Sequence, residues 1–460
     1  MPVAGTSGVI ASKSEENERQ KGVLMQYRIF VRAVVIACAL TGLVVAPGAA
    51  AKQPGSHDAI SYHGWTTAAD LASGTFDGAQ PVAVGDGAIT FGTSTGTLDY
   101  DDPFDSSSQS TTYDYDTWTS PVYRRGFGLT KLVSSWTAST PSGTWVQVEM
   151  HGTTTSGTTT KWYVMGLWTS QMPSETSGDI HRTSLGGQGD ADGTIAIDTF
   201  LAAKRVALTS YQLRVTLYRK QGTTAAPTLR SVGAVASALP DDTSVAAGTL
   251  GGAEGLTLDV PQYSQEVHKG EYPEFDNGGE AWCSPTSTEM VVEYWGNKPG
   301  ASELSGIPYA DPSVDYAAMH TFDWHYSGAG NWPFNIAYAG SLGLEGKVVQ
   351  LRSLTEAEQF VKEGIPLVVS VSFKKNELDN AGYGTNGHLM VIRGFTQTGD
   401  VIVNDPASRS PSDAAVENVF DRQQFANVWL PTSRSGGIAY LIYPAGKTLP
   451  AHTAGVPANW

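Results

Sequence analysis

The sequence has few cysteines and no lysine- or arginine-rich run. Its 460 residues include two cysteines, Cys38 and Cys283, which excludes the multiple-disulfide framework of small secreted domains. The formal net charge is −16, whereas general affinity for nucleic acid or an anionic membrane surface requires a basic face. We therefore expect no nucleic-acid partner.

Charged residues are also scarce, at 16% of the chain, while glycine (51 residues) is abundant. The hydrophobic fraction of 40% and the 12 tryptophans exclude a chain that is disordered overall. This length suits two domains that each bury a core, and the composition favours a β-rich extracellular protein with many turns.

The N-terminus resembles an export signal. Arg28 and Arg32 precede an apolar run over residues 33–46, and Ala49, Ala50 and Ala51 follow it. A basic region, a short apolar core and an Ala-x-Ala exit predict a Sec-type signal peptide over residues 1–51. The run is too short to span a bilayer comfortably. The sequence therefore predicts a secreted, extracellular protein with no stable membrane insertion after cleavage.

Two readings of this segment stay open. Met25 offers a later start that would give a signal of conventional length, and Cys38 is either lost with the signal or, in the rival interpretation, lipidated. In the first case the mature chain carries a single thiol, Cys283, which is either buried and inert or reactive.

Composition and patterning divide the remainder of the chain. Alternating segments at 143–152 and 210–219 and an aromatic segment at 161–168 predict short antiparallel strands. The predicted boundaries are a linker (52–75), an all-β, β-sandwich-like domain (76–238), a linker (239–255), an α+β domain (256–447) and a tail (448–460). The aromatic residues of the β domain favour a core over a carbohydrate-binding platform. Calcium binding remains an alternative for two acidic segments, 99–116 and 190–193.

Cys283 precedes a predicted helix. Ser284 is expected as its N-cap and Pro285 as its first residue, and Gly296 ends it. The helix dipole and the free N–H groups at this end favour the thiolate, which is the nucleophilic form.

His388 and Asp405 supply the groups that such a thiol requires. His388 begins an apolar strand over 389–395, and residues 401–405 run back beside it. Alternation places both side chains on one face. A turn centred between residues 396 and 397 would set them opposite each other, whereas a turn at 398–399 would offset them and require a bulge or twist. A carboxylate beside an imidazole fixes its tautomer and supports its charge.

The order of cysteine, histidine and aspartate resembles that of papain-like peptidases. More closely, residues 258 to about 446 resemble the bacteriocin-processing, double-glycine peptidase family, cysteine peptidase family thirty-nine, in its secreted branch. The segments that carry this resemblance are Leu258–Gln265, Trp282–Pro285, Gly387–Val391, Val403–Pro406, Gly330–Asn335 and Gly364–Pro366.

The resemblance implies an α+β papain-like cysteine peptidase domain at the C-terminus. It implies a Cys283–His388–Asp405 triad and an oxyanion hole formed by the Cys283 N–H and the Gln265 side chain, with Gln262 as the alternative donor. No metal or organic cofactor is implied. Ser284 departs from the glycine usual in the family after the nucleophile, which raises the prospect of a narrowed cleft.

The sequence therefore predicts a secreted cysteine peptidase acting on a peptide or protein substrate. Two alternatives remain: a catalytically inactive papain-like binding module at the cell wall, and a thiol acyl-transfer enzyme of the cell-wall amidase or transglutaminase type. The N-terminal half is a candidate for binding cell-wall material. His320 and His325 match no known zinc spacing and are expected in a loop or cleft, and Ser287 lacks the surroundings of a serine nucleophile.

Overall fold

The computed structural model describes residues 57–81, 87–106, 109–174, 176–407 and 411–460. The predicted signal segment, 1–51, lies outside these residues. The described chain is mostly β-structure with few helices. None of its helices combines the length and the apolar character needed to cross a bilayer.

The N-terminal half contains fourteen strands and one short helix among its described residues. In chain order they are β1 (Ile60–Trp65), α1 (Ala68–Ala72), β2 (Thr75–Asp77), β3 (Gln80–Pro81), β4 (Ile89–Thr90), β5 (Gly96–Asp101), β6 (Ser110–Thr119), β7 (Tyr123–Leu129), β8 (Lys131–Ser139), β9 (Thr144–Thr154), β10 (Tyr163–Trp168), β11 (Gly193–Ala196), β12 (Thr199–Ala202), β13 (Leu208–Lys220) and β14 (Thr228–Ser237).

These strands form two antiparallel sheets. One has the order β11-β12-β8-β14-β4-β3 with β1 also on β14, and the other has the order β10-β9-β13-β6-β2 with β5 on β6 and β7 on β13. Alternation explains the core: Leu213, Val215 and Leu217 of β13 are buried, and they belong to the same hydrophobic cluster as Val232 and Trp136 of the other sheet. The tryptophans at 118, 136, 145 and 168 are fully buried, as the core interpretation requires.

Residues 52–75 were predicted as a linker, and this is corrected for the part that the structure describes. Ile60–Trp65 forms β1, paired antiparallel with β14, and Ala68–Ala72 forms α1. Ile60 and Trp65 are buried. The strand is short and interrupted by polar residues and a glycine, which hides its alternation in the sequence.

The C-terminal half combines one antiparallel sheet with helices. Its elements are α2 (Cys283–Tyr294), α3 (Ala301–Leu304), α4 (Pro312–Thr321), α5 (Trp332–Ser341), β15 (Glu345–Gln350), α6 (Leu354–Lys362), β16 (Leu367–Phe373), β17 (Thr385–Phe395), β18 (Val401–Asn404), β19 (Glu417–Phe420), α7 (Arg422–Trp429) and β20 (Ile438–Tyr443). The sheet order is β15-β20-β16-β17-β18-β19. Short 3₁₀ turns occur at Gln265–His268, Gly279–Ala281 and Asp413–Ala415.

The two halves pack directly on each other, and residues 54–460 form one compact unit. Phe334 of α5 packs edge-on against Trp136 of β8. The buried Arg182 guanidinium donates to the carbonyls of Thr169 and Gln171, and also to that of Met319 on α4. The N-terminal half therefore supports helices of the C-terminal half.

Candidate active site

Cys283 is the first residue of α2, and its side chain is partly exposed. The predicted cap is wrong by two positions: Trp282 occupies the N-cap, and its carbonyl accepts the first helical hydrogen bond, from the Thr286 N–H at 3.0 Å. Pro285 is tolerated within the first turn because the N–H it lacks would have no partner inside the helix there. The helix ends as predicted, with Gly296 in the left-handed region at φ 77°.

The Ser284 side chain contacts Tyr440 instead of capping the helix. This side chain is buried, and its Oγ lies 2.9 Å from the Tyr440 hydroxyl of β20. The Ser284 hydroxyl therefore forms a buried polar contact between α2 and the sheet.

His388 and Asp405 meet, as expected for a triad. His388 Nε2 lies 2.7 Å from Asp405 Oδ1, and both side chains are buried. Asn404 pairs with Val391 across β17 and β18, so the ladder offsets Asp405 from His388 by two positions. The two side chains share a face and reach each other diagonally.

The hairpin follows the later of the two predicted turns. The Gly399 N–H donates to the Thr396 carbonyl and the Thr396 N–H donates to the Asp400 carbonyl. The register shifts by one residue between Ile392 and Gly394, which marks a bulge.

Asp405 is held by three further donor contacts. The Tyr383 hydroxyl donates to its two carboxylate oxygens at 3.1 and 2.9 Å, and the Ala407 N–H donates to Oδ1 at 3.1 Å. These bonds fix the carboxyl group beside the imidazole.

His388 is strongly biased towards its protonated form. Burial is the largest single influence and lowers its pKa, but the charges of Asp405 and Cys283 and hydrogen bonds to both together raise the pKa to about 10. Because Nε2 is engaged with Asp405, Nδ1 is the nitrogen left for Cys283. The imidazole and the N-terminus of α2 therefore both adjoin Cys283.

Gln265 is linked to the segment that precedes Cys283 through its side-chain amide. It opens the 3₁₀ turn Gln265–His268, and its N–H donates to the Pro406 carbonyl, next to Asp405. Its Nε2 donates to the carbonyl of Glu280, three residues before Cys283, at 2.7 Å. Its Oε1 is buried and has no hydrogen-bond partner among the described residues. Its second amide hydrogen has a longer contact, to Glu266 Oε1 at 3.5 Å.

Several neighbours of the site were not singled out from the sequence. Tyr383 binds Asp405, and burial followed by the Asp405 charge raises its pKa. Tyr326 is 41% exposed, and the Cys283 charge contributes to raising its pKa to about 12, after burial and Asp276. Tyrosines occur throughout this chain, so nothing in the local sequence distinguishes these two.

The other candidates from the sequence are His320, Ser287 and the two acidic segments. His320 lies on α4, not in a loop; its pKa is lowered to about 3 by burial and by Arg182, and its ring stacks on Tyr316. Ser287 is buried in α2 and donates to the Leu389 carbonyl. The acidic segments at 99–116 and 190–193 form no group of three metal-ligating side chains within their described residues.

Comparison with known families agrees with this reading. A family model described as the peptidase C39 N-terminal domain matches residues 61–237, and a model described as the peptidase C39-like family matches residues 257–436. No curated protein matches the sequence. The second match includes Cys283, His388 and Asp405. The chain therefore belongs to the peptidase C39-like family, and this membership supports a peptidase function.

Proposed function

We propose that the protein is an exported cysteine peptidase that hydrolyses peptide bonds with Cys283, His388 and Asp405. The observation that carries this proposal is the buried 2.7 Å contact between His388 Nε2 and Asp405, combined with a His388 pKa of about 10. Such a histidine is an imidazolium at neutral pH and can stabilise a thiolate next to it. We assign the C-terminal half to the papain-like α+β class and the N-terminal half to a β-sandwich-like domain.

Acylation would begin with attack of the Cys283 thiolate on the carbonyl carbon of a peptide. The negative charge that forms on the carbonyl oxygen would be held by the Cys283 N–H and by the Gln265 amide hydrogen, which would leave its 3.5 Å contact with Glu266 Oε1. The proton on His388 Nδ1 would pass to the departing nitrogen as the C–N bond breaks. The products are a free amine and a thioester on Cys283.

Deacylation would reverse these roles. Neutral His388 would accept a proton from water at Nδ1, and the resulting hydroxide oxygen would add to the thioester carbon. The C–S bond then breaks, which releases a carboxylic acid and restores the thiolate–imidazolium pair. Asp405 keeps the imidazole oriented through both steps, and the chemistry uses no metal or cofactor.

The N-terminal half would position the cleft. Asp198, in the loop between β11 and β12, accepts the N–H of Trp332 at the start of α5, and Asp323 accepts the N–H of Ser184. Both contacts reach the segment that also carries Tyr326. We place the mature protein outside the cell, which N-terminal sequencing of protein from culture medium would check.

The test is a peptide-library digestion followed by mass spectrometry, in the presence and absence of an added amine. Wild type should release peptides with new free carboxyl ends, and Cys283→Ala should release none. Ser287→Ala, which removes a buried hydroxyl from the same helix, is the matched control and should retain cleavage. Amide products formed with the added amine would indicate acyl transfer, and equal cleavage by Cys283→Ala would overturn the proposal.

A further inference from the structure

A second group of ionisable side chains lies near Trp282, the residue that precedes Cys283. His268, Glu271 and Asp315 each place one potential metal-ligand atom within 4.8 Å of the others. His268 ends the 3₁₀ turn that begins at Gln265, and Asp315 lies in the first turn of α4. The His268 ring is 6.1 Å from that of Trp282, the residue before Cys283.

The group places two carboxyl side chains and one imidazole in a largely buried position. The side chains of His268 and Asp315 are 0% exposed and that of Glu271 is 15% exposed. Among the described residues, His268 is the cation within ion-pair distance of either carboxylate. If both carboxyl groups are ionised, protonated His268 balances only one of them, and the remaining charge is costly to bury.

The buried carboxyl group of Asp315 also lacks hydrogen-bond donors in the described part of the chain. Neither of its carboxylate oxygens has a hydrogen-bond partner among the described residues, and the closest ion-pair contact is His268 Nδ1 at 3.4 Å. A buried carboxylate ordinarily accepts several hydrogen bonds or binds a cation. The α4 N-terminus supplies part of the missing stabilisation, but it leaves the oxygens without a bonded partner.

The distances are close to those of a metal centre. Two ligands bound at about 2.1 Å in a tetrahedral site lie about 3.4 Å apart. His268 Nδ1 and Asp315 Oδ2 are 3.4 Å apart, whereas His268 Nδ1 and Glu271 Oε2 are 2.8 Å apart. Glu271 is the partly exposed member, so its side chain can withdraw by the required few tenths of an ångström.

We propose that His268, Glu271 and Asp315 form a structural site for a divalent transition-metal ion of the Zn²⁺ type. One nitrogen and two carboxylate ligands suit such an ion better than Ca²⁺, which prefers oxygen ligands alone. The ion replaces the proton on Nδ1 and leaves the group with no net charge. Solvent completes the coordination on the side where Glu271 is exposed.

The bound ion fixes the oxyanion side of the cleft and takes no part in bond cleavage. It ties the turn that carries Gln265 to α4, whose Val314 and Ala318 pack in one cluster with Trp282. This role rests on the proposed function only in what it says about Gln265. Metal binding itself does not depend on peptidase activity.

The experiment measures Zn²⁺ bound to the full chain by elemental analysis, after stripping with chelator, equilibration with Zn²⁺ and gel filtration. It uses a Cys283→Ser background, so that a thiolate–imidazole pair cannot bind the metal and catalysis is already absent. We expect about one Zn²⁺ per chain and a loss of affinity of about tenfold or more in Glu271→Gln.

Two variants complete the design. Asp315→Asn should also lose the ion, while Asp311→Asn, a neighbouring acidic residue outside the three ligands, should bind as the Cys283→Ser parent does. Because Glu271 is partly exposed, Glu271→Gln remains informative if Asp315→Asn fails to fold. Absence of bound Zn²⁺ in the Cys283→Ser parent, or unchanged binding in Glu271→Gln, would overturn the proposal whatever the peptidase assay shows.

Discussion

His388 is the residue whose protonation couples the site to the stability of the fold. Its pKa is raised from an ordinary value of 6.5 to about 10 in the folded state. A raised pKa stabilises the folded protein fully below pH 6.5, and this contribution is lost as the pH rises towards 10.

We expect wild type to lose unfolding free energy between pH 6.5 and 10, by an amount on the order of a few kcal/mol relative to His388→Gln. Urea titrations of both proteins across this range provide the measurement. Parallel pH profiles for the two proteins would show that His388 does not carry the raised pKa.

Tyr383 is a positioning residue for Asp405. Its hydroxyl donates to both carboxylate oxygens, and a hydrogen bond to a charged group contributes about 1.5–3 kcal/mol. Tyr383→Phe should therefore cost roughly 2 kcal/mol in chemical denaturation and shift the pH profile of kcat. Tyr294→Phe, which removes a bond to the neutral Gly364 carbonyl, is the matched control and should cost about 1 kcal/mol. Equal costs, with an unshifted profile, would contradict this role.

At the residue scale, the sequence reveals the groups that have distinctive chemistry. Cys283 stands out because it is one of two cysteines. His388 stands out because it begins an apolar strand, and Asp405 because it ends the segment that runs back beside that strand. Tyr383 precedes β17 in an irregular segment, and only the folded chain brings it to Asp405. The hydrogen bond from the Gln265 amide to the Glu280 carbonyl likewise depends on a turn that local sequence does not specify.

At the scale of elements, α2 depends on a buried polar contact with β20. Ser284 Oγ and the Tyr440 hydroxyl are 2.9 Å apart and belong to buried residues. Ser284→Ala should destabilise the protein by about 1–2 kcal/mol, because it leaves the Tyr440 hydroxyl without its partner. KM should not change, since the Ser284 side chain faces the sheet.

A double-mutant cycle with Tyr440→Phe measures this contact. Removing both hydroxyls should cost less than the sum of the single changes. A large rise in KM for Ser284→Ala, with little change in stability, would instead place this side chain at the cleft.

Strands and helices with clear periodicity could be predicted from the sequence. The exact start of α2 and the register of the β17–β18 hairpin could not. β13 follows the alternation that the sequence shows, and α2 ends at Tyr294, two residues before the predicted stop at Gly296. The start of α2 was misplaced because a serine before a proline is typical of a cap, whereas tertiary contacts with Tyr440 determine where Ser284 points. The bulge in β17 was one of two open possibilities, since turn geometry alone left the register undecided.

At the scale of the whole molecule, the two halves should unfold together. Arg182 is fully buried and its donors join Thr169 and Gln171 to Met319 of α4. We expect one calorimetric transition for the full chain, and Arg182→Met should lower its midpoint without dividing it. Two resolved transitions in wild type would show that the halves are energetically independent.

Domain-scale features were the least visible in the sequence. Residues 448–460 were predicted as a Pro/Ala-rich tail, yet Asn459 is buried and donates to the Gln350 carbonyl and to Glu356. The Ala458 carbonyl accepts the N–H of Tyr62 in β1, at the other end of the described chain. Such long-range contacts leave no periodic signal, so composition alone marks these residues as linker or tail.

The most direct test of the central claim is the rate at which iodoacetamide alkylates Cys283 at pH 6, in wild type and in His388→Ala. An isolated thiol with a pKa of about 8.5 is almost entirely protonated at this pH and reacts slowly. Fast alkylation in wild type that is lost in His388→Ala would establish the thiolate–imidazolium pair. Slow alkylation in both proteins, with Cys283 reduced and folded, would contradict the peptidase mechanism.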